Sequence, residues 1–153
     1  MTTPTPLSPL LFPSREWSLA LSRALQADSV VQQALGEFGA FTAGAILEKG
    51  AGLGSDFCVH IEAAPGREPK LTFCEDEDEL DDLEPDYLVR APHALVRDLL
   101  KSTLAGQLPD PLRLVTTGQV SLRGDLGRIV RVAGRYPTAG LESLRRLPTR
   151  TLD

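Results

Sequence analysis

Reactive side chains are scarce in this sequence. Its 153 residues include two cysteines, Cys58 and Cys74, and two histidines, His60 and His93. Two cysteines are too few for a disulfide framework, and we expect both to be free thiols in the cytoplasm, the compartment predicted for this chain. Neither histidine belongs to a nucleophile-elbow or zinc-protease motif. We therefore predict that the protein is not an enzyme and assign no catalytic residue.

Long apolar runs and aromatic residues are also few. No stretch approaches the roughly 20 apolar residues that a membrane-spanning helix needs. Aromatic residues make up 5% of the chain and the pI is about 5.1, which together argue against a nucleic-acid partner. The length fits one domain, with residues 1–12 as a flexible Thr- and Pro-rich lead-in, 13–147 as the folded domain and 148–153 as a loose tail.

Charge is distributed unevenly along the chain. Residues 75–86 hold nine carboxylates, and the rest has 12 acids against 16 bases, a net charge of +4. Leu80 and Leu83 interrupt the acidic run at helical spacing, which indicates a short solvated helix or loop. The run lacks the glycine turn of a Ca²⁺-binding loop, so we do not predict a Ca²⁺ site there. Later, Arg128, Arg131 and Arg135 share one side of a predicted helix. They form either a solvated face or a surface for transient contact with an anionic membrane.

Hydrophobic periodicity predicts an α+β domain. Helices are predicted over residues 14–27, from Asp28 or Ser29, from Pro92 or His93 to Leu104, over 110–117, from Asp125 to Ala133 and over 141–147. Strands are predicted over 57–62, 70–75, 86–91 and 118–123. The stripe of the second helix continues through Phe38, Phe41 and Ala45, so a break or a strand after Ala40 stays open. This order indicates a mainly antiparallel sheet of about five strands with helices packed on one face.

The first two strands predict a hairpin register. If Ile61 pairs with Leu71 and Val59 with Phe73, so that the apolar faces match, then Cys58 lies opposite Cys74 on the other face. That face is predicted to be the less buried one, with His60 exposed. Cys58, His60 and Cys74 could approach a zinc ion, but a fourth ligand is not evident. We predict no metal site and no cofactor.

Three segments carry a family resemblance. Residues 110–126, DPLRLVTTGQVSLRGDL, resemble the C-terminal signature of sterol carrier protein 2 domains. Residues 86–92, DYLVRAP, and residues 12–17, FPSREW, are similar to the upstream strand and the first helix of bacterial members. Gln119 stands where the family commonly has lysine, residues 40–56 diverge, and the acidic run replaces a more regular strand region. The resemblance implies a carrier of a fatty acid, acyl-CoA, sterol or isoprenoid in an apolar tunnel between sheet and helices.

The apolar faces supply candidates for such a ligand site. The predicted lining comprises Phe57, Val59, Ile61, Phe73 and Val89 from the sheet, and Leu99, Leu104, Leu114, Ile129 and Val130 from the helical side. The same pattern also describes an ordinary filled core, and the sequence does not separate the two. The alternative function is a protein-interaction module that uses the acidic loop 75–86 and the Arg-rich helix as contact surfaces.

Overall fold

The computed structural model describes residues 8–152. Seven strands form in this part of the chain: β1 Leu10–Phe12, β2 Phe41–Glu48, β3 Phe57–Ala63, β4 Lys70–Cys74, β5 Tyr87–Pro92, β6 Ser121–Arg123 and β7 Thr149–Thr151. Seven helices form: α1 Arg15–Gln26, α2 Ser29–Phe38, α3 Glu77–Asp82, α4 His93–Leu104, α5 Pro111–Thr116, α6 Leu126–Arg135 and α7 Leu141–Arg146. Within these residues, none of the helices combines the length and apolar character needed to cross a bilayer.

The main sheet has five strands in the order β4-β3-β2-β5-β6. Only the central β2–β5 pair is parallel, and the other three pairs are antiparallel. The predicted α+β class with a mainly antiparallel sheet of five strands is therefore confirmed.

The predicted hairpin register is also confirmed. Ile61 pairs with Leu71, Val59 with Phe73, and Cys58 lies opposite Cys74. Side chains alternate between the two faces of a strand, so matching the apolar residues of one face fixes every other pair in the hairpin.

Side-chain caps begin most of the helices where the sequence predicts. The Ser14 hydroxyl accepts a hydrogen bond from the Trp17 amide at 3.1 Å, and Asp28 accepts from two amides of α2. These caps satisfy amides that have no partner within the helix. Helix α2 ends at Phe38 because Gly39 adopts a positive φ of 83°. Phe41 and Ala45 consequently belong to strand β2, which resolves the open alternative after Ala40.

The short helix α3 covers one face of the sheet, and α1 and α2 lie over the opposite face. Its Leu80 is completely buried and packs with Ile46, Cys58 and Leu88. The acidic run does form a short helix, as predicted. This helix is not solvated on every side, because Leu80 packs it against the sheet. The prediction that His60 is exposed on a less buried face is wrong, because Cys58 is 2% exposed and His60 is 5% exposed beneath this cover.

The predicted domain limits need correction. Strand β1 pairs in parallel with β7, and the Trp17 indole donates to the Thr149 hydroxyl at 2.9 Å. Residues 10–12 and 149–151 are thus part of the folded domain, where the sequence predicted a lead-in and a loose tail. Three-residue strands give too little alternation to be recognised. The remainder of the predicted lead-in, residues 1–7, lies outside the described residues, as does residue 153.

Packing is uneven across the molecule. One buried cluster joins Phe12, Trp17 and Leu100 near the β1–β7 pair, and a second lies beneath α3. Helices α5 and α6 contain no buried residue, although α6 is strongly amphipathic in sequence. The tightly packed parts therefore lie at one end of the domain and on one side of the sheet.

Replacing Gly124 with alanine is expected to destabilise the fold. Gly124 joins β6 to α6 at φ 131°, and an added Cβ would overlap the Tyr87 ring and lie 3.1 Å from the Asp86 carbonyl oxygen. Strain and overpacking together should lower the free energy of unfolding by about 1–3 kcal/mol. Urea unfolding followed by circular dichroism measures the change.

Gly134→Ala is the matched control for this substitution. Gly134 lies within α6, and a Cβ added at this position would meet nothing within 4 Å. Alanine should be neutral or stabilising there, because it favours helix more than glycine does. Equal effects of the two substitutions would contradict the close approach of Gly124 to Tyr87.

Candidate functional site

A hollow of about 450 Å³ separates α1 and α2 from strands β2, β3 and β4. We call it the α1 cavity. The strands contribute Ala45, Leu47, Phe57, Val59, Ile61, Ala63 and Leu71, and the helices contribute Trp17, Leu21, Leu25, Val31 and Leu35. Protein interiors are normally close-packed, with few voids larger than a water molecule. A volume of this size falls in the range of ligand pockets.

The serine and glutamine side chains around the α1 cavity are already hydrogen-bonded to the main chain. Ser18 donates to the Ser14 carbonyl at 2.8 Å and Ser22 donates to the Pro69 carbonyl at 3.3 Å. The Gln32 amide donates to the Leu25 carbonyl and its oxygen accepts from the Gly66 amide. With these groups satisfied, the cavity offers an apolar surface that has little to hold water.

A second hollow, of about 490 Å³, lies on the other side of α2. We call it the α6 cavity. Its walls are Ala34 and Phe38 of α2, Ala43 of β2, Tyr87 and Val89 of β5, Ile129, Val132 and Ala133 of α6, and Leu108, Pro109, Pro111, Tyr136, Pro137 and Ala139 from connecting segments and the start of α5. The apolar face of α6 is directed towards this hollow, which explains why none of the residues of α6 is fully buried.

Three side chains form the partition between the two cavities. Val31, Leu35 and Phe41 line both hollows. Phe41 also belongs to an aromatic cluster, with ring centroids 4.8 Å from Phe38 and 5.9 Å from Tyr87. Helix α2 therefore lies across the sheet with an apolar hollow on each side.

The structure separates the predicted site residues into two groups. Phe57, Val59 and Ile61 line the α1 cavity, and Val89 and Ile129 line the α6 cavity. For these five residues, a ligand-binding role stays a prediction.

The other five predicted residues line neither cavity. Phe73 lies beside Phe57, with ring centroids 6.0 Å apart, and the Arg15 guanidinium stacks 4.7 Å from its ring. The remaining four are Leu99, Leu104, Leu114 and Val130.

Sequence reasoning missed the helical wall of the α1 cavity. Trp17, Leu21 and Leu25 of α1 and Val31 and Leu35 of α2 line it. The i, i+4 stripe of α1 was visible in the sequence, but nothing in the pattern showed which helices cover this part of the sheet.

No ionisable carboxyl, histidine or cysteine of the described residues lines either cavity. His93 is 1% exposed, and its Nδ1 lies 2.8 Å from the Gly50 carbonyl oxygen, so it holds a turn. Burial raises the pKa of the Cys58 and Cys74 thiols, which disfavours the reactive thiolate. Between residues 8 and 152, no three His, Cys, Asp or Glu side chains are grouped so that they could hold a metal ion.

Known structures share the fold of this protein over most of the chain. A solution structure of a conserved hypothetical protein from Thermus thermophilus, suggested to be a sterol carrier protein, matches with a TM-score of 0.61 at 16% identity over 90% of both chains. A crystal structure of sterol carrier protein 2 matches with a TM-score of 0.59 at 17% identity, over 88% of this chain and 97% of that chain. Neither a scan against protein-family models nor a search of curated proteins finds a match.

The molecule is thus an α+β domain in which helices pack against a mainly antiparallel sheet of five strands. The chain has the sterol carrier protein 2 fold, and the resemblance noted in its sequence is confirmed at the level of the fold.

Proposed function

We propose that this protein binds and carries a hydrophobic ligand in the space between its sheet and its helices, without covalent chemistry. The apolar hollows on both sides of α2 are the observation that carries the proposal. The absence of reactive groups from the described walls favours binding over catalysis. We further infer that the carrier works in the cytoplasm, where its two thiols would stay reduced.

The energetics of burial are sufficient for a carrier. Each methylene transferred from water contributes about 0.8 kcal/mol, so a chain of about 14 methylenes contributes about 11 kcal/mol. Association costs roughly 4–15 kcal/mol, and walls that are already formed keep the ordering cost low. The ligand class therefore extends over fatty acids, acyl-CoA, sterols and isoprenoids, because all of them bury apolar surface.

The alternative, a protein-interaction module, is supported less well by the geometry. Part of the acidic segment is engaged within the fold, since Glu77 pairs with Arg90 and Asp81 lies 3.8 Å from Arg123. Leu80 anchors the same helix to the sheet. These contacts give the acidic run a structural role. The interaction-module hypothesis also offers no explanation for the two hollows.

Native mass spectrometry of the freshly purified protein tests the proposal. We expect a population with an added mass close to one lipid per chain, because empty apolar space of this size should capture ligand during expression. Extraction under denaturing conditions then identifies the lipid. A mass equal to that of the bare chain, together with no uptake of a fluorescent fatty acid or sterol on titration, would contradict the carrier function.

A further inference from the structure

Helix α6 presents two different surfaces close to one another. Ile129, Val132 and Ala133 face the α6 cavity. Arg128, Arg131 and Arg135, three or four residues apart, line a shallow groove between α6 and the end of α2. Val132 lines both the cavity and this groove, so the apolar and cationic surfaces are continuous.

Two of these arginines contact residues at or beside the cavity wall. The Arg128 guanidinium stacks 4.4 Å from the centroid of the Phe38 ring. The Arg135 guanidinium lies 3.1 Å from Glu37, and the same carboxylate accepts a hydrogen bond from the Tyr136 hydroxyl at 3.0 Å. Phe38 and Tyr136 both line the α6 cavity. The positive charge is therefore held at the rim of the cavity.

The charge of the groove is not balanced. Its lining has three arginines and one carboxylate, Glu37, which leaves a net charge of +2. Arg131 is exposed and forms no ion pair with any residue between 8 and 152. A guanidinium offers paired N–H donors that match a carboxylate or a phosphate, so the groove is complementary to an anionic group.

We propose that the α6 cavity takes an amphiphile with one apolar chain and an anionic head, a carboxylate or a phosphate. This inference rests on the proposed carrier function and specifies its ligand. The apolar chain of the ligand lies against Ile129 and Val132 in the cavity. Its anionic head lies in the arginine groove, with Arg131 as its principal partner. Arg128 and Arg135 supply further positive charge beside it.

Calorimetric titration with dodecanoic acid and dodecanol tests the proposed head-group site. The two ligands share one chain and differ in charge at a pH well above the carboxylic acid pKa. The wild-type protein should bind the acid more tightly. Arg131→Gln should weaken acid binding about tenfold and leave alcohol binding unchanged, and Arg131→Lys should recover part of the loss.

Arg145→Gln is the charge-matched control. Arg145 is exposed on α7, so this variant changes the net charge equally without touching the groove. Equal weakening of acid binding by both variants would mean a general charge effect and would overturn the inference. Unchanged acid binding in an Arg128→Gln/Arg131→Gln variant would also overturn it.

Further outcomes distinguish the head-group site from a membrane contact and from a failure of the carrier function. If Arg131→Gln reduces sedimentation with anionic vesicles but not binding of dodecanoic acid, the groove recognises a bilayer surface and the inference is wrong. If the wild-type protein binds neither the acid nor the alcohol, the carrier function itself fails. Binding of both ligands with equal affinity, insensitive to Arg131→Gln, would retain the carrier and reject only the head-group site.

Single substitutions on β2 test which cavity holds the apolar chain of the ligand. Ala43 lines only the α6 cavity and Ala45 lines only the α1 cavity, on the same face of one strand. Ala43→Phe should weaken dodecanoic acid binding at least tenfold, whereas Ala45→Phe should leave it within about twofold. The reverse order would place the chain in the α1 cavity and contradict the proposal.

Discussion

Phenylalanine at both Ala43 and Ala45 is expected to abolish ligand uptake while leaving the protein folded. Ala43 lines the α6 cavity and Ala45 lines the α1 cavity, so each added ring would extend into one of the two hollows. Filling a cavity normally preserves or raises stability, so binding and folding should respond in opposite ways. Native mass spectrometry should show less than a tenth of the wild-type lipid occupancy, and the melting temperature should not fall.

Thr72→Phe is the control for adding a ring to the sheet. Thr72 is exposed on β4, and its register partner is His60, on the face opposite the α1 cavity. Lipid occupancy in this variant should equal that of the wild type. A double variant at Ala43 and Ala45 that keeps full occupancy would show that the ligand binds elsewhere.

Leu80→Ala is expected to lower the free energy of unfolding by about 2–5 kcal/mol. The Leu80 side chain is fully buried among Ile46, Cys58 and Leu88, and its removal leaves a cavity that the sheet cannot fill. The ion pairs of α3 cannot compensate, because pairs with this degree of exposure contribute little. Chemical denaturation followed by circular dichroism measures the loss.

Leu83→Ala provides the comparison within the same acidic segment. Leu83 is 44% exposed, so its replacement should change the free energy of unfolding by no more than about 0.5 kcal/mol. If the two leucines gave similar losses, α3 would not be docked through Leu80, and the burial of Cys58 and His60 beneath it would also be wrong.

The sheet was largely predictable because alternation specifies a register. Val59, Ile61, Leu71 and Phe73 share one apolar face in the observed pairing, and a slip by one residue would move the apolar side chains of one strand to the other face. Strand β2 was harder to predict because Phe38, Phe41 and Ala45 also match helical spacing. The positive φ of Gly39, which ends the helix between them, is a property of the folded chain.

The site was predictable only in part, because a sequence pattern does not distinguish a filled layer from a hollow one. Of the residues predicted to line the site, Phe57, Val59 and Ile61 line the α1 cavity, whereas Leu99 and Leu104 of α4 line neither cavity. Helix α4 packs its Leu100 beside Phe12 and Trp17 at the end of the sheet, and its Val96 lines the α1 cavity. Which amphipathic helix covers which strands is decided by tertiary packing and chain connections.

The absence of buried residues from α5 and α6 has a consequence for the motions of the domain. Segments that bury little apolar surface open at low cost in free energy, whereas strands beneath a packed cover open only with the whole molecule. Amide hydrogens of these two helices should therefore exchange faster than those of β3. For the proposed carrier, release of ligand through this part of the wall would leave the Leu80 and Trp17 clusters intact.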